Sequence, residues 1–151
     1  MGGQVGPPAF RHAGPARMML LDTHVMLWMT EGDERLGLSA RDEIEAAPIL
    51  LFSAISAWEI AMLTAKSKGV STLRPEALVR HVVETLRLRE VAVGTEIAVD
   101  AGGMPRDIHG DPCDRIIMAS ARALDCPLVT ADRKILAYAA AGHLKAIDAR
   151  V

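Results

Sequence analysis

The sequence predicts a three-layer α/β domain, a mainly parallel central sheet with helices on both faces. Three observations carry this expectation. Short apolar runs recur at residues 18–21, 49–52, 90–93, 127–130 and 144–147, and such brief runs read as strands covered on both sides. Helical patterns separate them, so consecutive strands are not hairpins and are joined by right-handed crossovers. Aromatics are only 3 % of the chain while hydrophobic residues are 50 %, so the core is built from Ala, Val, Ile, Leu and Met.

In chain order, residues 1–17 are rich in Gly, Pro and Arg, carry no apolar periodicity and read as a flexible leader. One domain then occupies 18–151. The first strand, 18–21, ends at Asp22 and is followed by a short helix over 25–29. Ser39 is placed to cap a second helix, with Glu43 in its first turns and Pro48 just past its end. After the strand at 49–52, a helix starts at Ser53 or Ala54 and runs to Ala65, and another spans 74–86 with Pro75 near its start. A less regular helical pattern covers 95–102. In the helix expected over 114–124, Ile116, Ala119, Ser120 and Ala123 share one face.

Composition narrows the function. With 17 Lys and Arg against 19 Asp and Glu, the net charge of −2 leaves no broad basic field, so any nucleic-acid contact is local. Cys113 and Cys126 form no Cys-x-x-Cys pair and lack a nearby His pair, which removes a zinc framework and suits a reduced, cytoplasmic setting. No apolar run approaches the ~20 residues of a membrane span.

The acidic residues are more informative. In open parallel sheets ligands gather beyond the carboxyl ends of the strands, where Asp22 follows the first strand and Asp132 follows the fourth. Each alone also fits a helix cap or a turn. Glu59 shares a helical face with Ile55, Met62 and Leu63, an expensive position for a carboxylate without a partner. Asp114 opens the helix at 114–124 and fits an N-cap, and Asp111, before a proline, fits a turn. Carboxylates sent to one rim repel one another unless a cation holds them, and oxygen donors without sulfur or clustered His suit Mg²⁺ or Mn²⁺. Thr23 and Thr130 are placed to orient such ligands, or are ordinary strand-end hydroxyls.

The blocks Leu20-Leu21-Asp22-Thr23-His24-Val25, Ser56-Ala57-Trp58-Glu59-Ile60-Ala61, His109-Gly110-Asp111-Pro112-Cys113-Asp114-Arg115 and Val129-Thr130-Ala131-Asp132-Arg133 resemble, in order and spacing, the PIN-domain ribonucleases of the VapC toxin type. Met104-Pro105 precedes the third block in the same manner. The resemblance runs from Met19 to the C-terminus. It implies a PIN fold, a Mg²⁺- or Mn²⁺-dependent endoribonuclease directed at single-stranded RNA, and a VapB-type antitoxin that occludes the site. By motif, Asp22 and Asp114 are the implied principal metal ligands, and Glu59 and Asp132 complete the acidic pocket. The chain departs from relatives that carry Lys where Leu63 stands and an aromatic where Cys113 stands. Lys66 and Lys68 are the nearby substitutes for that lysine, or part of a solvated face.

Around this set, Arg115 reads as a structural residue or a phosphate contact, and His24 and His109 as polar packing rather than proton carriers. Trp28 and Trp58 read as core more than as base-stacking platforms. A homodimer is expected from the resemblance and from surplus apolar positions such as those at 25–29. The rival to a nuclease is a non-catalytic PIN-like module that binds RNA or protein. Nucleotide-binding alternatives are set aside, since no Gly-x-Gly-x-x-Gly or Walker loop follows any strand.

Overall fold

A computed structural model gives the structure of the protein over residues 17–66 and 73–151. The expected leader, Arg17 apart, and Lys68 lie outside the described residues. In order the elements are β1 (Met18–Leu21), α1 (Thr23–Glu31), α2 (Leu38–Ala46), β2 (Ile49–Ser53), α3 (Ala54–Lys66), α4 (Pro75–Leu86), β3 (Arg89–Val91), α5 (Thr95–Gly103), α6 (Pro112–Leu124), β4 (Leu128–Thr130), α7 (Arg133–Ala140) and β5 (Ala146–Asp148). The strands lie in the order β3-β2-β1-β4-β5 and every pair is parallel.

Strand alternation divides the core between the two faces. Leu21, Phe52 and Val129 join Val25, Met26, Trp28, Ile44, Ile60 and Val82 on one side. Their chain neighbours Leu20, Leu51 and Leu128 join Ile117, Met118, Ala121 and Ile135 on the other. Both faces are therefore covered, which is why the strands read as continuous apolar runs. The edge strand β3 carries exposed Arg89 and Glu90, charges that discourage pairing with another chain.

Several local expectations are corrected. The helix foreseen at 25–29 extends over Thr23–Glu31, because Asp22 caps it and Gly32, at φ 65°, ends it in the left-handed conformation that glycine adopts without strain. Gly37, not Ser39, is the N-cap of α2. A side chain there is excluded, since a Cβ on Gly37 would lie 2.2 Å from the backbone oxygen of Val151. Asp111, not Asp114, caps α6 and accepts from the backbone N–H groups of Cys113 and Asp114. The buried side of α6 turns toward Ile117, Met118 and Ala121, while Ile116 is half-buried and Ala123 exposed, because the helix packs against both the sheet and α5. Helix α7, capped by Asp132, is the helical stretch between the fourth and fifth strands, for which the sequence reading sets no bounds.

Trp28 is buried as expected, but Trp58 is 55 % exposed. Ser56 and Ile60 form the inner side of α3, and a residue between them on a 3.6-residue helix points away. Met62 and Leu63 are exposed too, so the apolar face that Glu59 shares is not the core face. Val25, Met26 and Trp28 are buried and Leu27 and Met29 half-buried against the same core, so α1 offers little surplus apolar surface.

Candidate active site

Parallel strands all end on one side of the sheet, and the chain uses that side to gather acids. Asp22 leaves the end of β1, Glu59 lies on α3 after β2, Asp114 lies in the first turn of α6, and Asp132 follows β4. The structure brings all of them to the wall of one open cavity of about 370 Å³, together with Asp111, His24, Trp28, Arg35 and Arg150. Asp111, read from the sequence as a turn residue, is thus both a helix cap and a further acid at the rim.

Each carboxylate is held by specific donors. Asp22, 6 % exposed, accepts from the backbone N–H of Thr23 at 2.8 Å and from Thr130 Oγ1 at 2.7 Å. Thr130 Oγ1 also accepts from the backbone N–H of Asp132 at 3.1 Å, so one buried hydroxyl links two of the acids. Thr23 Oγ1 lies 2.7 Å from Glu59 Oε1 and 2.8 Å from Ser56 Oγ, which fixes the otherwise exposed-facing Glu59 over the end of β1. Thr23 and Thr130 are therefore built into the site. His109, 7 % exposed, places Nε2 at 3.1 Å from Asp114 Oδ2 and 2.9 Å from Asp132 Oδ2.

The electrostatics follow from burial and mutual repulsion. Burial raises the Asp22 carboxyl above its ordinary value, outweighing the Thr130 and Thr23 hydrogen bonds. Burial, with Asp22 close by, also raises Glu59. Asp114 is pushed up to about 7 by burial and by Asp22 and Asp111, even though the start of a helix favours negative charge. Asp132 goes the other way. Burial opposes ionisation, but the His109 hydrogen bond and the backbone N–H groups of Ile135 and Lys134 together hold it below its ordinary value. Among the described residues no Lys or Arg forms an ion pair with Asp22, Glu59, Asp114 or Asp132. The cluster is anionic and oxygen-rich, and its charge is offset by no Lys or Arg ion pair but by the His109 bridge to Asp114 and Asp132, a donor set that suits a hard divalent cation.

The neighbouring residues divide by role. Arg115 turns away from the acids and donates to the carbonyls of Ala101, Gly102, Met104 and His109, so it clamps the segment between α5 and α6. His24 is exposed, with its ring 6.4 Å from that of Trp28. Arg35 stacks over Trp28 at 5.0 Å and pairs with Asp33. Sequence reasoning set His109 aside and did not single out Arg35 or Arg150. A loop histidine two positions before a capping Asp has no periodicity to mark it, and the arginines reach the cavity only through the tertiary fold.

Comparison with known proteins gives the family and the fold. The family model for the PIN domain matches residues 19–141. The chain is 32 % identical over 120 residues to Ribonuclease VapC22 of Mycobacterium tuberculosis, covering 80 % of this chain and 91 % of that protein. Its fold is similar to a DNA-bound VapBC from Salmonella typhimurium, with a TM-score of 0.65 at 18 % identity, covering 87 % of this chain and 98 % of that one. It is also similar to VapBC2 from Rickettsia felis bound to a promoter DNA fragment, with a TM-score of 0.63 at 16 % identity over 86 % of this chain and 97 % of that one. At such identities the two structures speak for the fold alone. With a parallel sheet that gathers its acids at one rim, a family match over most of its length and a ribonuclease relative, this chain belongs to the PIN-domain family, among the VapC-type ribonucleases.

Proposed function

We propose that the protein is a Mg²⁺- or Mn²⁺-dependent endoribonuclease and the toxin of a VapBC-type pair, working in the cytoplasm as a homodimer that a VapB-type antitoxin restrains. The observation that carries the catalytic part is the convergence of Asp22, Glu59, Asp114 and Asp132 on one cavity with Asp114 raised to about 7. Such a cluster is costly by itself and becomes favourable around a cation. Asp22 and Asp114 would hold the ion, with Glu59 and Asp132 completing the set. A bound Mg²⁺ or Mn²⁺ supplies an activated water and offsets charge on the phosphodiester. The chain's own contribution is orientation: Thr23 aims Glu59 and Thr130 aims Asp22, so the carboxylates are in place before substrate arrives.

For the partner, the support lies on α3. Trp58 and Met62 are exposed beside an apolar groove between α3 and α4 lined by Ala57, Ala61, Val79 and Val83. Patches of this kind mark surfaces that another protein covers.

The test is cleavage of a panel of single-stranded RNAs in Mg²⁺, Mn²⁺ or EDTA. Cleavage with either ion and none in EDTA is expected. Full cleavage in EDTA refutes the metal mechanism, and no cleavage under any condition favours the non-catalytic binding module.

A further inference from the structure

His109 sits where a metal ligand could sit. Its Nε2 and one oxygen each of Asp114 and Asp132 lie within 4.8 Å of one another, a grouping compatible with a bound ion. The other side of the ring argues against ligation. Nδ1 accepts a hydrogen bond from the backbone N–H of Asp111 at 3.1 Å, so Nδ1 carries a lone pair and the proton of a neutral ring resides on Nε2. That proton points between Asp132 Oδ2 and Asp114 Oδ2. For Nε2 to bind a cation the proton would have to move to Nδ1, where it would face the Asp111 N–H donor. The ring, 7 % exposed, has little room to turn away, and the backbone that carries it is pinned. The Arg115 guanidinium donates to the His109 carbonyl at 3.3 Å and to the carbonyls of Ala101 at 2.9 Å and Gly102 at 3.2 Å.

We propose that His109 is a positioning residue and not a ligand: its Nε2–H bridges Asp114 and Asp132 and holds two carboxylates from separate elements at a spacing that one cation can share. Asp114 belongs to the first turn of α6 and Asp132 caps α7, and no backbone hydrogen bond joins those two helices in the described residues. Arg122 of α6 donates to the Tyr138 hydroxyl of α7 at 3.2 Å, away from the acids, and at the end where the acids stand the imidazole is the link between the two helices. Its N–H also offsets part of their repulsion while the cation is away. The inference deepens the metal-nuclease reading, on which it rests only for the purpose it assigns to the two carboxylates.

The test uses the whole chain with ¹⁵N-labelled histidine rings. Long-range proton–nitrogen spectra of the metal-free protein at neutral pH should show His109 protonated at Nε2 and unprotonated at Nδ1, and addition of Mg²⁺ should leave that tautomer in place. The reverse tautomer without metal, or loss of the Nε2 proton on Mg²⁺ addition, overturns the proposal. Calorimetry with Mn²⁺ gives a second reading. His109→Gln keeps an N–H donor near the Nε2 position and should bind Mn²⁺ within about threefold of wild type, whereas His109→Leu should bind about 10- to 100-fold more weakly. Equal losses in both variants mark His109 as a ligand and overturn the proposal. Thermal melts in EDTA identify any variant that fails to fold, and if His109→Leu does, the ring spectra decide. Wild-type protein that binds neither ion refutes the metal reading itself, while its ring spectra still decide the role of His109.

Discussion

Thr130 Oγ1 donates to Asp22 Oδ2 at 2.7 Å, a buried hydrogen bond between residues 108 positions apart in the chain. It ties the ends of β1 and β4 at the point where the sheet meets the acids. Replacing Thr130 by Val keeps the shape and removes both this donor and the acceptor for the Asp132 N–H. We expect Thr130→Val to cost about 1–3 kcal/mol of stability, the usual consequence of leaving a buried polar group unpaired. Mn²⁺ affinity should fall by about tenfold or more, because Asp22 loses its aim. Unchanged melting and unchanged Mn²⁺ binding would show that the hydroxyl is incidental.

The charges of the site should be visible in stability before any RNA is added. In the folded chain Asp114 keeps its proton up to about 7, whereas an unfolded chain releases it near the ordinary value of 3.8. Between those values the folded state binds the extra proton, so this group makes stability fall as pH rises and adds no further loss above about 7. Asp22, also raised, acts in the same sense, and Asp132, which is lowered, acts in the opposite one. Melts in EDTA between about pH 4 and about pH 8 should therefore show Asp114→Asn gaining on wild type as pH rises. A constant difference between the two proteins across that range would contradict the assignment.

Asp22→Asn and Asp114→Asn each remove one charge while keeping the side-chain shape. Both variants should fold, with metal-free melting temperatures at or above wild type, and the stabilisation by Mg²⁺ or Mn²⁺ seen in wild type should shrink. Cleavage should drop at least about a hundredfold, since the loss of a ligand removes both water activation and charge stabilisation. Wild-type cleavage by a folded Asp114→Asn protein would sink the proposed mechanism.

Gly37 serves the site from a distance. Its N–H donates to the Ala149 carbonyl at 2.8 Å, and the first turn of α2 reaches the Val151 carbonyl through the Ala40 N–H at 2.9 Å. These bonds hold the segment that brings Arg150 to the cavity. A methyl group at Gly37 would collide with the Val151 backbone, so Gly37→Ala should destabilise by about 1–3 kcal/mol, a typical cost of overpacking. Hydrogen exchange should quicken at Ala40 and Val151 more than in β1. Protection equal to wild type at both sites would show that the contact is not needed.

The exposed side of α3 can be separated from the catalytic side. Trp58→Ala removes a side chain that is 55 % exposed, so the melting temperature should stay within a few degrees of wild type. RNA cleavage should persist. Self-association read by light scattering at tens of micromolar, or inhibition by a VapB-type antitoxin, should weaken by about tenfold or more, as expected for an aromatic anchor. If neither association nor inhibition changes, the patch is not the partner surface.

Much of this protein is legible before folding is considered. A short strand that is apolar at every position needs cover on both faces, and strands separated by helices must run parallel, so the layers and the common rim for Asp22 and Asp132 follow from local pattern. Helix phase is less legible. In α3 apolar residues stand all round the axis, at Ile55, Trp58, Ile60, Met62 and Leu63, and periodicity alone does not choose which of them faces inward. The choice is made by tertiary packing, which buries Ile60 in the core, brings the Ser56 hydroxyl to Thr23 at the end of β1 and leaves Trp58 outside.

The site divides in the same way. Sequence by itself determined which residue types were available and on which elements Asp22, Glu59, Asp114 and Asp132 would stand, because spacing along a strand or helix fixes direction over a few residues. Only the tertiary structure decided that Asp111 would cap a helix and face the cavity, that Arg115 would clamp backbone instead of holding phosphate, and that His109 would lie between Asp114 and Asp132. Those outcomes depend on contacts between segments far apart in the chain. Their energies arise only when packing removes water from the groups concerned, and no local pattern encodes which partner will then be within reach.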